Sequence, residues 1–103
     1  MPTFVFVYHG GKRFETREEG AAHKIKWNAW IEGLGERVVG PSQFFGQSST
    51  VGAEGIAEGG GANPISGITT LQADTLESVL EMAKACPHIA IGGTIEVAEA
   101  MKM

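Results

Sequence analysis

The chain has 103 residues, 43% of them apolar and 19% charged, and this composition describes one folded domain with a modest core rather than a disordered segment. Eight basic against twelve acidic residues leave a net charge of −4, which excludes a protein that binds nucleic acid through a basic face. One cysteine, Cys86, excludes an internal disulfide and a zinc site built on paired thiolates; the longest apolar run near the start, Phe4 to Tyr8, is too short to cross a bilayer. The expectation is a cytoplasmic protein with no membrane segment.

The run Thr3-Phe4-Val5-Phe6-Val7-Tyr8-His9 predicts a strand, ended by Gly10-Gly11. Its apolar character does not alternate cleanly, which predicts cover on both faces, one of them from a partner subunit. A first helix is predicted from a capping box at Thr16-Arg17-Glu18-Glu19 to Leu34, with Gly35 at the left-handed C-terminal position. Steps of about 100° per residue set His23, Trp27, Trp30, Ile31 and Leu34 on one face.

Arg37 to Gly40 predicts a short second strand, closed by Pro41. Residues 42–66 read as a long glycine-rich surface loop with a weak hairpin at Thr50-Val51; seven of the fifteen glycines lie between Gly46 and Gly67. Ile68 to Ala73 predicts a third strand. Asp74 is the expected cap of a second helix, with Leu76, Val79, Leu80 and Ala83 as its buried stripe and Cys86-Pro87 as its stop. Thr94 to Met101 predicts the last strand, with Ile95 and Val97 on one face and Glu96 and Ala98 on the other.

The order β-α-β-β-α-β predicts an α+β fold of ferredoxin-like type: a four-stranded antiparallel sheet with two helices on one face. The bare face of that sheet, with the apolar first strand in it, predicts a homodimer closed sheet to sheet.

Four elements carry the candidate chemistry. His23 is the strongest: an imidazole exchanges protons at neutral pH, and two tryptophans share its helical face. It is the candidate general acid or base, with Glu19 one turn earlier to orient the ring; the plain alternative is a satisfied core histidine. His9, at the end of the first strand, is expected to line the same cavity, or else to be a strand-terminal histidine. Trp27 and Trp30 are expected as the wall of a site for a small aromatic molecule, or as core, and the two roles are compatible.

Cys86 and His88 have no third ligand at useful spacing, so no metal site is expected. The run Gly59 to Gly61 lacks the fingerprint of a phosphate cradle and reads as a flexible loop or lid; no cofactor is implied. Glu96 is expected either to meet a basic group across the dimer interface or to be solvated at its rim. Lys12, Arg13, Arg17, Lys24 and Lys26 are interleaved with Glu15, Glu18 and Glu19 and read as a solvated mixed face.

Over nearly its whole length the chain resembles the YCII-related family of the dimeric α/β-barrel group. The match is carried by Tyr8-His9-Gly10-Gly11, His23 with Lys26-Trp27-Asn28-Ala29-Trp30, Asn63-Pro64-Ile65-Ser66-Gly67, Ala73-Asp74-Thr75-Leu76-Glu77, Ala83-Lys84-Ala85-Cys86-Pro87-His88 and Gly92-Gly93-Thr94-Ile95-Glu96-Val97. Many relatives carry an Asp-Gly-Pro-Phe element before the third strand; this chain has Gly59 to Gly67 there, as a separate branch would.

The resemblance implies a homodimer of ferredoxin-like subunits. Lyase-type acid/base chemistry is attributed to part of the family, and the first reading for this chain is a small-molecule pocket between the first helix and the sheet, near the dimer interface. A His–Asp dyad is proposed in some relatives. Its histidine carries over to His23, whereas Gly33 or a neighbour stands where the aspartate would be. The alternative is a non-catalytic dimeric module that binds a metabolite or a protein.

Overall fold

A computed structural model describes residues 1–101; the last two residues of the single domain expected over 1–103 lie outside the described residues. Strand β1, Thr3–His9, runs through the centre of a four-stranded antiparallel sheet. Its alternation is clean in space. Phe4, Phe6 and Tyr8 are fully buried on one side, and Val5, Val7 and His9 are half-buried on the other.

Helix α1, Arg17–Leu34, starts at Thr16, whose hydroxyl accepts the Glu19 amide at 3.1 Å. The reciprocal half of the expected capping box differs: the Glu19 carboxylate accepts from the Glu15 amide at 3.2 Å, one residue before the cap. Gly35 takes φ 59°, and a 3-10 turn over Gly35–Arg37 follows. The helix lays Trp27, Trp30 and Leu34 over β1. Phe6 stacks on Trp30 at 5.9 Å between ring centroids, and Tyr8 meets Trp27 edge-on at 5.1 Å.

The second strand lies later than the sequence predicts. Val38 makes one isolated bridge to Leu71, and the paired strand is β2, Gln43–Phe44. Gly40 at φ 117° and Pro41, which has no amide proton, interrupt the extended run expected over Arg37–Gly40, so pairing resumes beyond them. Strands β3, Ser49–Gly52, and β4, Gly55–Glu58, form a separate two-stranded hairpin around the expected Thr50-Val51, with every residue exposed.

Strand β5, Ile65–Gln72, begins before the predicted Ile68 and pairs with both β1 and β2. Helix α2, Leu76–Lys84, is capped by Thr75 rather than Asp74, because the extended backbone at Thr75 brings its hydroxyl to the Ser78 amide at 3.1 Å. Its buried stripe is also narrower than expected. Val79 and Ala83 enter the core, while Leu76 and Leu80, set round the helix from that line, stay exposed.

Pro87 ends α2 and also opens a further short helix, α3, Pro87–Ala90, which the sequence did not announce. Strand β6, Thr94–Glu99, closes the sheet in the order β2-β5-β1-β6, two residues short of the predicted end at Met101. Ile95 and Val97 pack on the core and Glu96 points to the other face, as expected. The result is an α+β fold whose helices cover one side of a four-stranded antiparallel sheet. No helix of the described residues is long and apolar enough to cross a membrane.

Candidate functional site

The space between α1 and the sheet is filled by Phe6, Tyr8, Trp27 and Leu34 and holds the core, not a cavity. The expected pocket therefore lies one layer further out. It is an open groove of about 810 Å³ between α1 and the α2–α3 junction. Helix α1 contributes Glu19, His23, Lys26 and Trp30, and the opposite wall is apolar, from Ala85 to Ile91. Lys12 and Phe14 close one end from the loop after β1.

His23 stands half-buried in this groove, 5.0 Å from Phe14 and 6.2 Å from Trp27 between ring centroids. Burial pushes its pKa below the ordinary 6.5, and the charges of His88 and Lys26 act in the same direction. The ring is therefore neutral at pH 7, with one donor and one acceptor. Among the described residues no side chain or backbone group is hydrogen-bonded to it. Glu19, expected to orient it, is engaged with the Glu15 amide instead.

The two tryptophans divide the roles expected of them. Trp30 lines the groove, and its Nε1–H donates to the Met82 carbonyl at 2.9 Å, which fixes the indole between α1 and α2. Trp27 does not line the groove. It is buried against Tyr8, Trp30 and Phe44, with centroid distances of 5.1 to 5.2 Å. Phe14 takes the place expected of Trp27, facing His23.

Charge in the groove is one-sided. Lys12, Lys26 and Lys84 border it against Glu19 alone. Lys84 also meets Glu81 at 3.2 Å, on the exposed side of α2. Lys12 and Lys26, read from the sequence as part of a mixed solvated face, are brought together here by the turn after β1.

His9 does not share the cavity of His23. It follows Val5 and Val7 onto the face of the sheet away from the helices, because side chains alternate along the strand. There its Nδ1 lies 3.0 Å from the Asn63 carbonyl oxygen, and its Nε2 lies 3.0 Å from Oε1 of Glu96. Glu96 thus meets a basic group of its own chain, an arrangement not among those expected for it.

Cys86 and His88 are structural in their surroundings. Burial pushes the Cys86 thiol up to about 12, so it carries no thiolate at neutral pH. The His88 Nε2–H donates to the His9 carbonyl at 2.9 Å, across the junction of β1 and α3. Among the described residues no three His, Cys, Asp or Glu side chains stand close enough to hold a metal ion.

Neither any protein-family model nor any curated protein matches this chain.

Proposed function

We propose that this is a YCII-related protein of ferredoxin-like type that works as a homodimer and binds a small aromatic carboxylic acid in the groove between α1 and α3. One observation carries the ligand class: a neutral, half-buried His23 beside Phe14 in a groove that Trp30 also lines, with three lysines and a single carboxylate at the rim. The apolar wall accepts a ring, the lysines attract a carboxylate, and the imidazole supplies a hydrogen bond inside.

The strand order β2-β5-β1-β6, antiparallel throughout, supports the ferredoxin-like reading. Two features support the dimer. The face carrying Val5, Val7, Ile65 and Ile68 is only half-buried within one chain. The β3–β4 hairpin holds out Val51 and Ile56, which pair across it at 75% and 79% exposure, and an isolated hairpin of this size has little stability of its own. A cytoplasmic setting belongs to the same reading.

Acid/base chemistry of lyase type by His23 is the second reading. It is favoured by the lowered pKa, since an imidazole that is neutral at pH 7 is competent as a base. Against it stands the missing orienting partner, and the binding role needs none.

An NMR titration with benzoate separates these readings from an empty structural groove. The proposal predicts saturable shifts at the His23 ring, the Phe14 ring and the Trp30 indole N–H. Shifts confined to other residues, or none, would contradict it. With binding established, loss of affinity in His23→Gln assigns the ring to ligand recognition. Unchanged affinity would free it for chemistry alone.

A further inference from the structure

We propose that the groove between α1 and α3 takes its aromatic carboxylate together with a proton, which His23 binds, so that the ligand is held more tightly as pH falls. This coupling rests on the reading of the groove as a carboxylate site.

The ring is open to a ligand. Among the described residues no buried side-chain nitrogen or oxygen lacks a partner. The ring nitrogens of the half-buried His23 are bonded to no protein group, so they reach the solvent of the groove. The Lys12 amide donates to the Ile91 carbonyl at 2.9 Å, which ties the loop after β1 to the end of α3 and holds Lys12 at the rim.

Every element around the groove contributes to the charge at His23. Helix α1 brings Glu19 and Lys26, and the loop after β1 brings Lys12. Helix α2 ends in Lys84, and the α2–α3 junction brings Cys86 and His88. Cys86 is a neutral thiol, and Glu19 is engaged with the Glu15 amide. The empty groove thus surrounds the ring with cations and an apolar wall, and both favour the neutral imidazole.

The cations that hold His23 neutral are the ones that draw a carboxylate in. A carboxylate drawn to Lys12 and Lys26 reverses the sign of the local charge. An imidazolium then donates to it in a charge-assisted hydrogen bond, roughly twice as strong as a neutral one. The ligand ring also displaces water, which acts the other way. The opposite charge is the larger effect, because it is in direct contact and His23 is only half-buried.

The proton comes from solvent, and no bond of the ligand breaks. One anion and one proton enter together, so the net charge of the groove is the same full as empty. The empty protein titrates His23 below the ordinary 6.5, and the loaded protein titrates it higher than the empty one. Between the two values binding takes up a proton, and affinity rises as pH falls; above both values it is level.

The test is titration of the full chain with benzoate, by NMR at the His23 ring and by calorimetry in buffers of different ionisation enthalpy, which counts the protons. The His23 midpoint is expected to rise by about one pH unit or more in saturating benzoate. Affinity should be about fivefold tighter at about pH 5.5 than at about pH 7.5, a range in which benzoate stays ionised. His23→Gln keeps a hydrogen-bond donor but takes no proton, so its affinity should vary by less than about twofold over that range. Binding without proton uptake, or with the His23 midpoint unchanged or lowered, would overturn the coupling and leave the groove as a carboxylate site. Equal pH dependence in the native protein and His23→Gln would overturn it too, by assigning the proton to another group. Benzoate that does not bind would remove the carboxylate reading and the coupling with it.

Discussion

His88 and Gly93 occupy one space. The imidazole lies where a Cβ on Gly93 would stand, and the Gly93 amide donates to the His88 carbonyl at 3.1 Å. Gly11 holds the other side, where a Cβ would come within 2.8 Å of the same ring. With Nε2 bound to the His9 carbonyl, His88 is the rivet between the end of β1 and α3. Gly93→Ala must displace a buried ring and is expected to cost about 2–3 kcal/mol in chemical denaturation. Gly33→Ala is the matched control. Nothing lies near its Cβ position within α1, so it should stabilise by about 0.5–1 kcal/mol.

A buried hydroxyl chain predicts a second asymmetry. Tyr8 Oη donates to Thr69 Oγ1 at 2.7 Å, and Thr69 Oγ1 bonds Ser42 Oγ at 2.6 Å. Thr69→Val strands the Tyr8 hydroxyl in the core and should cost about 2–3 kcal/mol. Tyr8→Phe leaves the buried Thr69 hydroxyl still bonded to the half-buried Ser42 hydroxyl, and should cost about 1 kcal/mol. Equal losses in thermal or urea unfolding would contradict the chain.

The depressed pKa of His23 predicts a pH dependence with a fixed sign. The unfolded chain titrates this histidine near 6.5 and the folded chain below that, so the unfolded state holds more protons between the two values. Stability from this group is complete above about pH 6.5 and declines as pH falls toward the lower folded value. His23→Gln should flatten that part of the stability profile relative to the native protein. An NMR titration of the His23 ring should show the same lowered value directly.

Association is expected to respond to the hairpin. The double variant Val51→Ser, Ile56→Ser alters only exposed side chains, so subunit unfolding should change by less than about 0.5 kcal/mol. Sedimentation velocity should nonetheless show weaker self-association than in the native protein. A native chain that sediments at the 10.9 kDa of a single subunit at micromolar concentration would contradict the dimer.

Much of the fold was legible because it is written in local chemistry. The Thr16 cap, the Gly35 stop and the extent of β1 each depend on residues within a few positions of one another, whereas the clean alternation of β1 emerges only in the sheet. The misplaced second strand turned on the 3-10 turn that takes Arg37 and on the positive φ of Gly40, which leave the β-branched pair Val38-Val39 only an isolated bridge. The cap passed from Asp74 to Thr75 because one residue of extended backbone decides which oxygen reaches the amide. Leu76 and Leu80 were assigned to the core because a nine-residue helix carries two adjacent apolar lines, and only the sheet selects between them.

The site was less legible. His23 and Trp30 could be found from helical spacing. Lys12 and Phe14 enter the groove only through a turn that sequence periodicity does not describe, and α3 is four residues long. The meeting of His9 with Glu96 spans 87 positions and depends on strand register. The signal available for it is strand alternation, which sets His9 on the face of Val5 and Val7 and Glu96 opposite Ile95 and Val97.

The central claim is that the α1–α3 groove recognises an aromatic carboxylate, and calorimetric titration with benzoate and with uncharged benzyl alcohol tests it most directly. The account predicts that benzoate binds at least about tenfold more tightly, and that Lys12→Ala with Lys26→Ala removes the difference. Equal affinities for the two ligands, or a preference for benzoate that survives loss of both lysines, would contradict it.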